Sequence, residues 1–216
     1  MAAALASLQA EGKSSVVLMD HERALAVLGV AEEPRPDAAA VVQRLRQCGV
    51  DIVLLTGDND AAARRIGDAV GISSIDAGLL PDEKRVKLEL LRGTHGAVAM
   101  VGDGINDGPA LASADVGIAM GRSGTQAAME IADVALMRED LSLVADLLAL
   151  ARTMASVLRT NITVAIGLKL VFFLLALAGK ATLWMAVLAD VGASLLVTGN
   201  GLRLLAWKPR NQQKSR

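Results

Sequence analysis

Along the first two thirds of the chain, short runs of apolar and β-branched residues alternate with stretches whose apolar positions recur at helical spacing. The runs at residues 16–19, 25–30, 51–55, 97–101, 116–120 and 134–136 predict strands, and the segments at 37–47, 60–70, 82–92, 109–114 and 124–131 predict helices. Alternation of this kind marks an α/β sheet. The runs at 51–55 and 97–101 are nearly uninterrupted in apolar content, as parallel strands covered on both faces are, so the centre of the sheet is expected there. The pattern then changes. From residue 161 to 179, and again from 181 to 202, the chain is overwhelmingly apolar, each run close to the ~20 residues that cross a bilayer as a helix. Gly179 and Lys180 form the only break between these runs, which predicts a helical hairpin with both ends on one side. A buried apolar hairpin inside a soluble domain is the competing explanation.

Charge divides the two regions more sharply than hydropathy does. The 216 residues carry a formal net charge of −1, but residues 1–146 hold 13 basic and 22 acidic side chains, a net of −9, and residues 147–216 hold 9 basic and 1 acidic, a net of +8. With 53% hydrophobic residues, this composition excludes a disordered tail and a nucleic-acid-binding basic domain. Arg152 and Arg159 precede the hairpin, and Arg203, Lys208, Arg210, Lys214 and Arg216 follow it, against Lys180 at the turn. Basic residues accumulate on the cytoplasmic side of a membrane, so the soluble region and both termini are expected in the cytoplasm. Phe172, Phe173, Trp184 and Trp207 are the chain's only aromatics, and the tryptophans fall near the turn and the exit, where interfacial anchors sit. The organisation read from this is a soluble α/β region over 1–146, a connecting helix over 147–160, two membrane helices over 161–207 and a basic tail over 208–216 facing anionic headgroups. Cys48 is the single cysteine, which excludes a disulfide framework or a multi-thiolate metal site. Residues 1–10 are alanine-rich without the basic start of a secretory signal.

In open α/β sheets, ligands bind beyond the carboxyl ends of the strands. The run at 51–55 leads into Thr56-Gly57-Asp58-Asn59, which offers a hydroxyl, backbone amides and a following helix N-terminus to phosphate oxygens. The run at 97–101 leads into Gly102-Asp103-Gly104-Ile105-Asn106-Asp107, where Asp103 and Asp107 can face one hard cation such as Mg²⁺. Lys84, at a helix start after Pro81, places a point positive charge where a phosphoryl group can meet it. A turn rich in Gly, Asp and Asn is by itself an ordinary turn; three such segments with complementary phosphate and Mg²⁺ chemistry point to a site.

Two charges interrupt the apolar hairpin. Lys169 lies 11 residues before Lys180 and Asp190 lies 10 after it, so at about 1.5 Å per residue both sit roughly 15 Å deep, near mid-bilayer. Asp190 is the only acid after Asp146. Two charges at one depth in lipid either pair, gluing the hairpin, or line an ion path in which a carboxylate ligates a cation and an ammonium competes for it. Asn161, Ser194, Thr198 and Asn200 add polar groups of the kind that hydrogen-bond between helices.

The segments "TGDN", "PDEK" and "MVGDGINDGPALASADVGIAMG" resemble the phosphorylation domain of P-type ATPases, a haloacid-dehalogenase-like Rossmannoid fold. "NITVAIGLK" and "LADVGASLLVTGNGLRLL" resemble the last two membrane helices of the heavy-metal pumps, and the intramembrane Lys and Asp resemble the zinc/cadmium/lead exporters. The resemblance implies a C-terminal portion of such a pump. It makes Asp103 the Mg²⁺ ligand and Asp107 its support, with Thr56, Gly57, Asp58, Lys84 and Asn106 at the phosphoryl group. Asp190 becomes a ligand of the transported Zn²⁺, Cd²⁺ or Pb²⁺, and Lys169 its counter-ion. ATP would be bound largely by a nucleotide domain absent here, and the protein would lie in the cell's inner membrane with the missing N-terminal part as partner. The "DKTGT" aspartate, the "TGE" loop and a Cys-Pro-Cys-like membrane motif are not in this sequence, so the chain alone is expected to be inactive, covalent catalysis requiring its nucleophile. Glu32 and Gly108 replace the Asp and Ala usual in the family.

Two other readings stay open. Asp20 follows a strand, as a dehalogenase-like nucleophile does, which would make the chain a membrane-anchored phosphatase; Asp20-His21-Glu22 between two short strands also reads as a hairpin turn. A non-catalytic membrane subunit or remnant is the other. His21 and His95 are expected solvated, Cys48 an inert thiol, and Met154 and Met185 packing residues.

Overall fold

The computed structural model describes the chain apart from residues 1, 11, 22, 32, 105, 122–129 and 209–216. The predicted helix at 124–131, except its end, and Glu22, Glu32, Ile105, Arg210, Lys214 and Arg216 therefore lie outside the described residues. The chain divides into two compact units, residues 1–143 and 144–216.

The first unit opens with helix α1 (Ala2–Ala10) and an antiparallel hairpin of β1 (Ser14–Asp20) and β2 (Arg23–Val30), whose ladder shifts between Leu18 and Met19. Helices and parallel strands then alternate: α2 (Ala38–Gln47), β3 (Val53–Leu55), α3 (Asp60–Val70), β4 (Ser74–Asp76), α4 (Pro81–His95), β5 (Ala99–Gly102), α5 (Gly108–Ser113), β6 (Val116–Met120) and β7 (Val134–Leu136). Among the described residues β3 pairs with β4, and β5, β6 and β7 form a parallel sheet in that order.

Strand geometry sends successive side chains to opposite faces, and β3 uses both. Leu54 packs against Ala38, Val42, Val70 and Ile72 from α2 and the end of α3, while Leu55 packs against Leu88, Met100, Ala110 and Leu111 from α4, β5 and α5. The apolar run at 51–55 thus reports burial on both faces, as expected. Its reach to the centre of one continuous sheet is corrected: among the described residues β3 and β5 are each paired along one edge, and the inner strand is β6. Helices covering both faces produce an apolar run whether or not both ladder edges are filled. Close approach is set by small residues. A Cβ on Gly67 would lie 2.4 Å from Ile75 Cδ1, and one on Gly117 would lie 2.6 Å from the Leu111 carbonyl oxygen.

Helix ends follow local chemistry. Asn59 caps α3 by accepting the Ala62 N–H at 2.9 Å, and Gly71, at φ +80°, ends it in the left-handed conformation that lacks a Cβ penalty. α4 begins with Pro81, and the Glu83 carboxylate accepts the Leu80 N–H at 2.8 Å. Its last turn is pinned by Arg92. The guanidinium grips Asp115 with Nε at 3.0 and 3.1 Å and with Nη2, while Asp115 Oδ2 accepts the Val98 N–H at 2.9 Å.

The second unit is an exposed apolar hairpin. Helix α6 (Ser142–Leu177) runs unbroken for 36 residues, a bend at 178–182 with Gly179 at φ +69° reverses the chain, and α7 (Leu183–Leu202) returns before a short 3₁₀ turn, Arg203–Ala206. The connecting helix expected at 147–160 and the first apolar span are thus one element. Both helices are long and apolar enough to cross a membrane. Leu177, Leu183, Trp184 and Leu188, near the turn, are each at least 70% exposed, so these large apolar side chains are left uncovered. Asn200 Nδ2 donates to Asn161 Oδ1 at 2.8 Å, and Asn161 Nδ2 reaches the Val197 carbonyl at 3.4 Å, clasping the open end as polar groups between apolar helices do.

Arg92 and the Val98 N–H hold the Asp115 carboxyl below its ordinary range. A lowered folded-state value means that the contribution to stability is complete above the ordinary carboxylate pKa of about 4 and is lost as pH falls through the lowered value. Urea unfolding as a function of pH should show Asp115→Asn less stable than the parent at pH 7 and the difference shrinking below pH ~4.

Candidate functional site

Leu55, Leu88 and Met100 share one apolar cluster. Thr56 stands one residue beyond Leu55, Lys84 one helical turn before Leu88, and Asp103 three residues beyond Met100. Packing of the cluster therefore carries the three sequence-predicted segments to one neighbourhood at the carboxyl ends of β3 and β5.

The loop after β3 is braced from the loop after β4. Thr56 N–H donates to the Asp76 carbonyl at 3.0 Å, the Thr56 carbonyl accepts from Leu79 N–H at 3.0 Å, and the Asp58 carbonyl accepts from Gly78 N–H at 2.7 Å. The Thr56 hydroxyl donates to Asp58 Oδ2 at 3.0 Å and accepts the Asp58 N–H at 3.1 Å. Its proton is committed within the turn, so contact with a phosphoryl oxygen exchanges one acceptor for another. Gly57 is exposed, and a Cβ there would lie 3.3 Å from the Leu79 carbonyl. Asn59 occupies one of the first N–H groups of α3, which leaves that helix end less free for an anion than the sequence alone implies.

Lys84 Nζ meets Asp107 Oδ1 at 2.7 Å, the two side chains being 12% and 17% exposed. Asp107 stands at the N-terminal cap of α5 without making a side-chain cap hydrogen bond, its carboxylate engaged by Lys84. Gly102 permits this: a Cβ at 102 would lie 2.9 Å from both Asp107 Cβ and Oδ2. Asp103 and Asn106 are exposed in the same loop, which Gly104 turns at φ +80°. Mg²⁺ takes one or two protein carboxylates and completes its shell with water and phosphate. Asp103 is an exposed carboxylate four residues before Asp107 in that loop, and residues of this type fit Mg²⁺. Among the described residues no three His, Cys, Asp or Glu side chains gather into a metal cage.

Sequence reasoning passed over Asp76 and Lys87. Asp76 ends β4, its carbonyl receives Thr56 N–H, and its carboxylate pairs with Lys87 Nζ at 2.8 Å. Lys84 and Lys87, three apart on α4, were the available signal; the partner strand has only three residues, one of them aliphatic.

Asp20 lies at the β1–β2 turn with its side chain 68% exposed and 3.9 Å from His21, itself 96% exposed at φ +49°. This is the hairpin-turn reading of Asp20. His95 ends α4 and is exposed, and Cys48 forms the C-cap of α2.

In the second unit Lys169 and Asp190 line one cavity of about 270 Å³ together with Leu168, Phe172, Phe173 and Ala189. Among the described residues no ion pair within 4.0 Å joins them; they share a cavity rather than a salt bridge. Ser194 donates to the Asp190 carbonyl at 2.9 Å, a bond within the helix.

Residues 1–115 match the family described as haloacid dehalogenase-like hydrolase, and the chain belongs to that family. Within it, the chain is homologous to the cadmium- and zinc-transporting P-type ATPases. It is 46% identical over 94% of its length to a probable cadmium-transporting ATPase of Alkalihalophilus pseudofirmus, covering 28% of that protein. It is 45% identical over 92% of its length to the zinc/cadmium/lead-transporting P-type ATPase of Escherichia coli, covering 27% of it. The crystal structure of a zinc-transporting PIB-type ATPase in its E2·Pi state matches with a TM-score of 0.82 and 43% identity, over 94% of this chain and 33% of that one. The chain thus spans about a quarter to a third of these relatives.

Lys84→Met leaves the Asp107 carboxylate largely out of water without its cation, and should lower the unfolding free energy in urea by about 1–3 kcal/mol. Lys84→Met/Asp107→Leu should recover part of that loss, making the two changes non-additive. Gly102→Ala, which displaces Asp107, should behave like Lys84→Met.

Proposed function

We propose that this chain is the C-terminal part of an ATP-driven exporter of Zn²⁺, Cd²⁺ or Pb²⁺, contributing phosphoryl and Mg²⁺ contacts on the cytoplasmic side and a cation site within the membrane. The observation that carries this reading is the combination of Lys84, Asp103 and Asp107 at the ends of parallel strands with Lys169 and Asp190 in one cavity of an apolar hairpin. Homology to metal-transporting ATPases over nearly the whole chain supports it.

Lys84 and the backbone of Thr56-Gly57-Asp58 hold the phosphoryl oxygens, with Asn106 donating from the opposite loop. Asp103 would hold Mg²⁺, and Asp107 fixes both Lys84 and the loop. Bound there, Mg²⁺ supplies neutralisation of charge on the transferred group. The acceptor aspartate belongs to the part of the pump outside this sequence, and β3 and β5 each present a ladder edge to which its strand can add. Without that part the chain forms no covalent phosphoryl adduct. In the membrane, Asp190 ligates the cation and Lys169 takes over the carboxylate as the cation leaves. Carboxylate chemistry alone admits several divalent metals.

In the complete pump, Asp190→Ala should abolish metal-stimulated ATP hydrolysis, and unaltered stimulation would remove the cation site. Lys169→Ala should change metal release more than binding. Asp103→Asn should lower turnover by about 10²-fold or more; full turnover in that variant would favour a non-catalytic role. α6 is continuous, so a flexible insertion at Ala155 should leave hydrolysis running without transport, and retained coupling in vesicle uptake would count against the helix as the link.

A further inference from the structure

A second cavity, of about 290 Å³, opens at the other end of the hairpin from the turn, walled by Thr153, Ser156 and Thr160 on α6 and by Arg203, Leu204 and Trp207 past the end of α7. Thr160 is 20 residues before Lys180 and Arg203 is 23 after it, so at ~1.5 Å per residue both walls stand about 30 Å from the turn, the thickness of a hydrocarbon core. If the turn lies at one surface of a bilayer, this cavity lies at the other, among the headgroups.

Its chemistry selects an anion. Arg203 has five N–H donors, and its partner among the described residues is neutral: Nη1 donates to Asn200 Oδ1 at 3.3 Å. Asn200 is held in turn by Asn161, so the Asn clasp orients the guanidinium. Thr153 and Thr160 spend their protons on the Ala149 and Ser156 carbonyls at 2.8 and 3.0 Å, which leaves the Ser156 hydroxyl as the rotatable donor in the α6 wall. Among the described residues no carboxylate lines the cavity, and Asp190, the only acid after Asp146, sits at mid-hairpin. Lys208 adds a further positive charge beside Trp207. A planar guanidinium with a hydroxyl opposite is suited to phosphate oxygens, and the flanking Leu204 and Trp207 suit the glycerol and first methylenes of a lipid. A zwitterionic lipid would bring an ammonium with no anionic partner.

We infer that this cavity binds the phosphate of an anionic phospholipid, with Arg203 and Ser156 as donors. The inference rests on the bilayer placement of the hairpin proposed above and goes beyond the transport reading.

The test uses the full chain carrying Trp184→Phe, so that Trp207 is the sole tryptophan, reconstituted in phosphatidylcholine vesicles doped with a small fraction of brominated phosphatidylglycerol or brominated phosphatidylcholine. Brominated phosphatidylglycerol should quench Trp207 with about fivefold greater apparent affinity. Arg203→Gln should abolish the difference and Arg203→Lys keep part of it, both with unchanged helical circular dichroism. Equal quenching by the two lipids, or an unchanged preference in Arg203→Gln, overturns the site. Removal of the preference by millimolar inorganic phosphate assigns the cavity to free phosphate and overturns the lipid assignment. A chain that fails to float with phosphatidylcholine vesicles at all overturns the bilayer placement itself, which distinguishes that failure from loss of the cavity.

Discussion

Lys84 Nζ and Asp107 Oδ1 meet at 2.7 Å with most of their hydration removed, and each charge depends on the other. Removing two charges from water costs several kcal/mol apiece, and mutual attraction offsets that cost only where geometry is close and other polar atoms are satisfied. The loop after β5 meets those conditions through Gly102, whose missing Cβ lets Asp107 fold back over the strand end. The pair is therefore weak evidence for stability and stronger evidence for positioning: it fixes α4, the loop after β5 and the start of α5 with respect to one another. In the pump proposed above, a phosphoryl group entering there would meet an ammonium already oriented, which would limit the reorganisation required at the moment of transfer.

The same unit shows how a short strand can organise two layers. β3 has three residues, yet Leu54 and Leu55 reach different clusters, one with α2 and the end of α3, the other with α4, β5 and α5. Thr56 inherits its position from that double anchoring. Asp76 then locks Thr56 from the side through a backbone hydrogen bond, and Lys87 holds Asp76 to α4. Lys84 and Lys87 thus take different carboxylates from one helix face, so α4 braces both loops at once.

Much of this was legible in the sequence because turns after apolar runs announce themselves: Gly, Asp and Asn in "TGDN" and "GDGIND" follow strands that the hydrophobic pattern makes plain. α3 has the bounds the pattern predicts, set by an Asn cap and a left-handed Gly. β4 was not legible, since Ser74-Ile75-Asp76 has one aliphatic residue and no alternation to detect. α1 was missed because its alanine-rich sequence lacks an amphipathic stripe. The centre of the sheet was expected at β3 and β5, each paired along one edge among the described residues, because apolar content measures cover on the faces, whereas pairing is decided by hydrogen bonds along the edges, to which the side-chain pattern is blind. The Lys84–Asp107 pair spans 23 residues, and no local spacing rule reaches that far.

The hairpin follows a different logic, in which an unmade interaction is the informative one. Lys169 and Asp190 line one cavity, yet no ion pair joins them among the described residues. In an apolar surrounding, a tight pair would satisfy both charges and resist separation, whereas two charges sharing a cavity leave the carboxylate open to a competing cation. The Asn161–Asn200 clasp shows that these helices can bring polar groups to 2.8 Å where the geometry calls for it. A clasp near the open end and a charged cavity at mid-hairpin differ in kind: the first fixes the helices, and the second is what the proposed cation site requires.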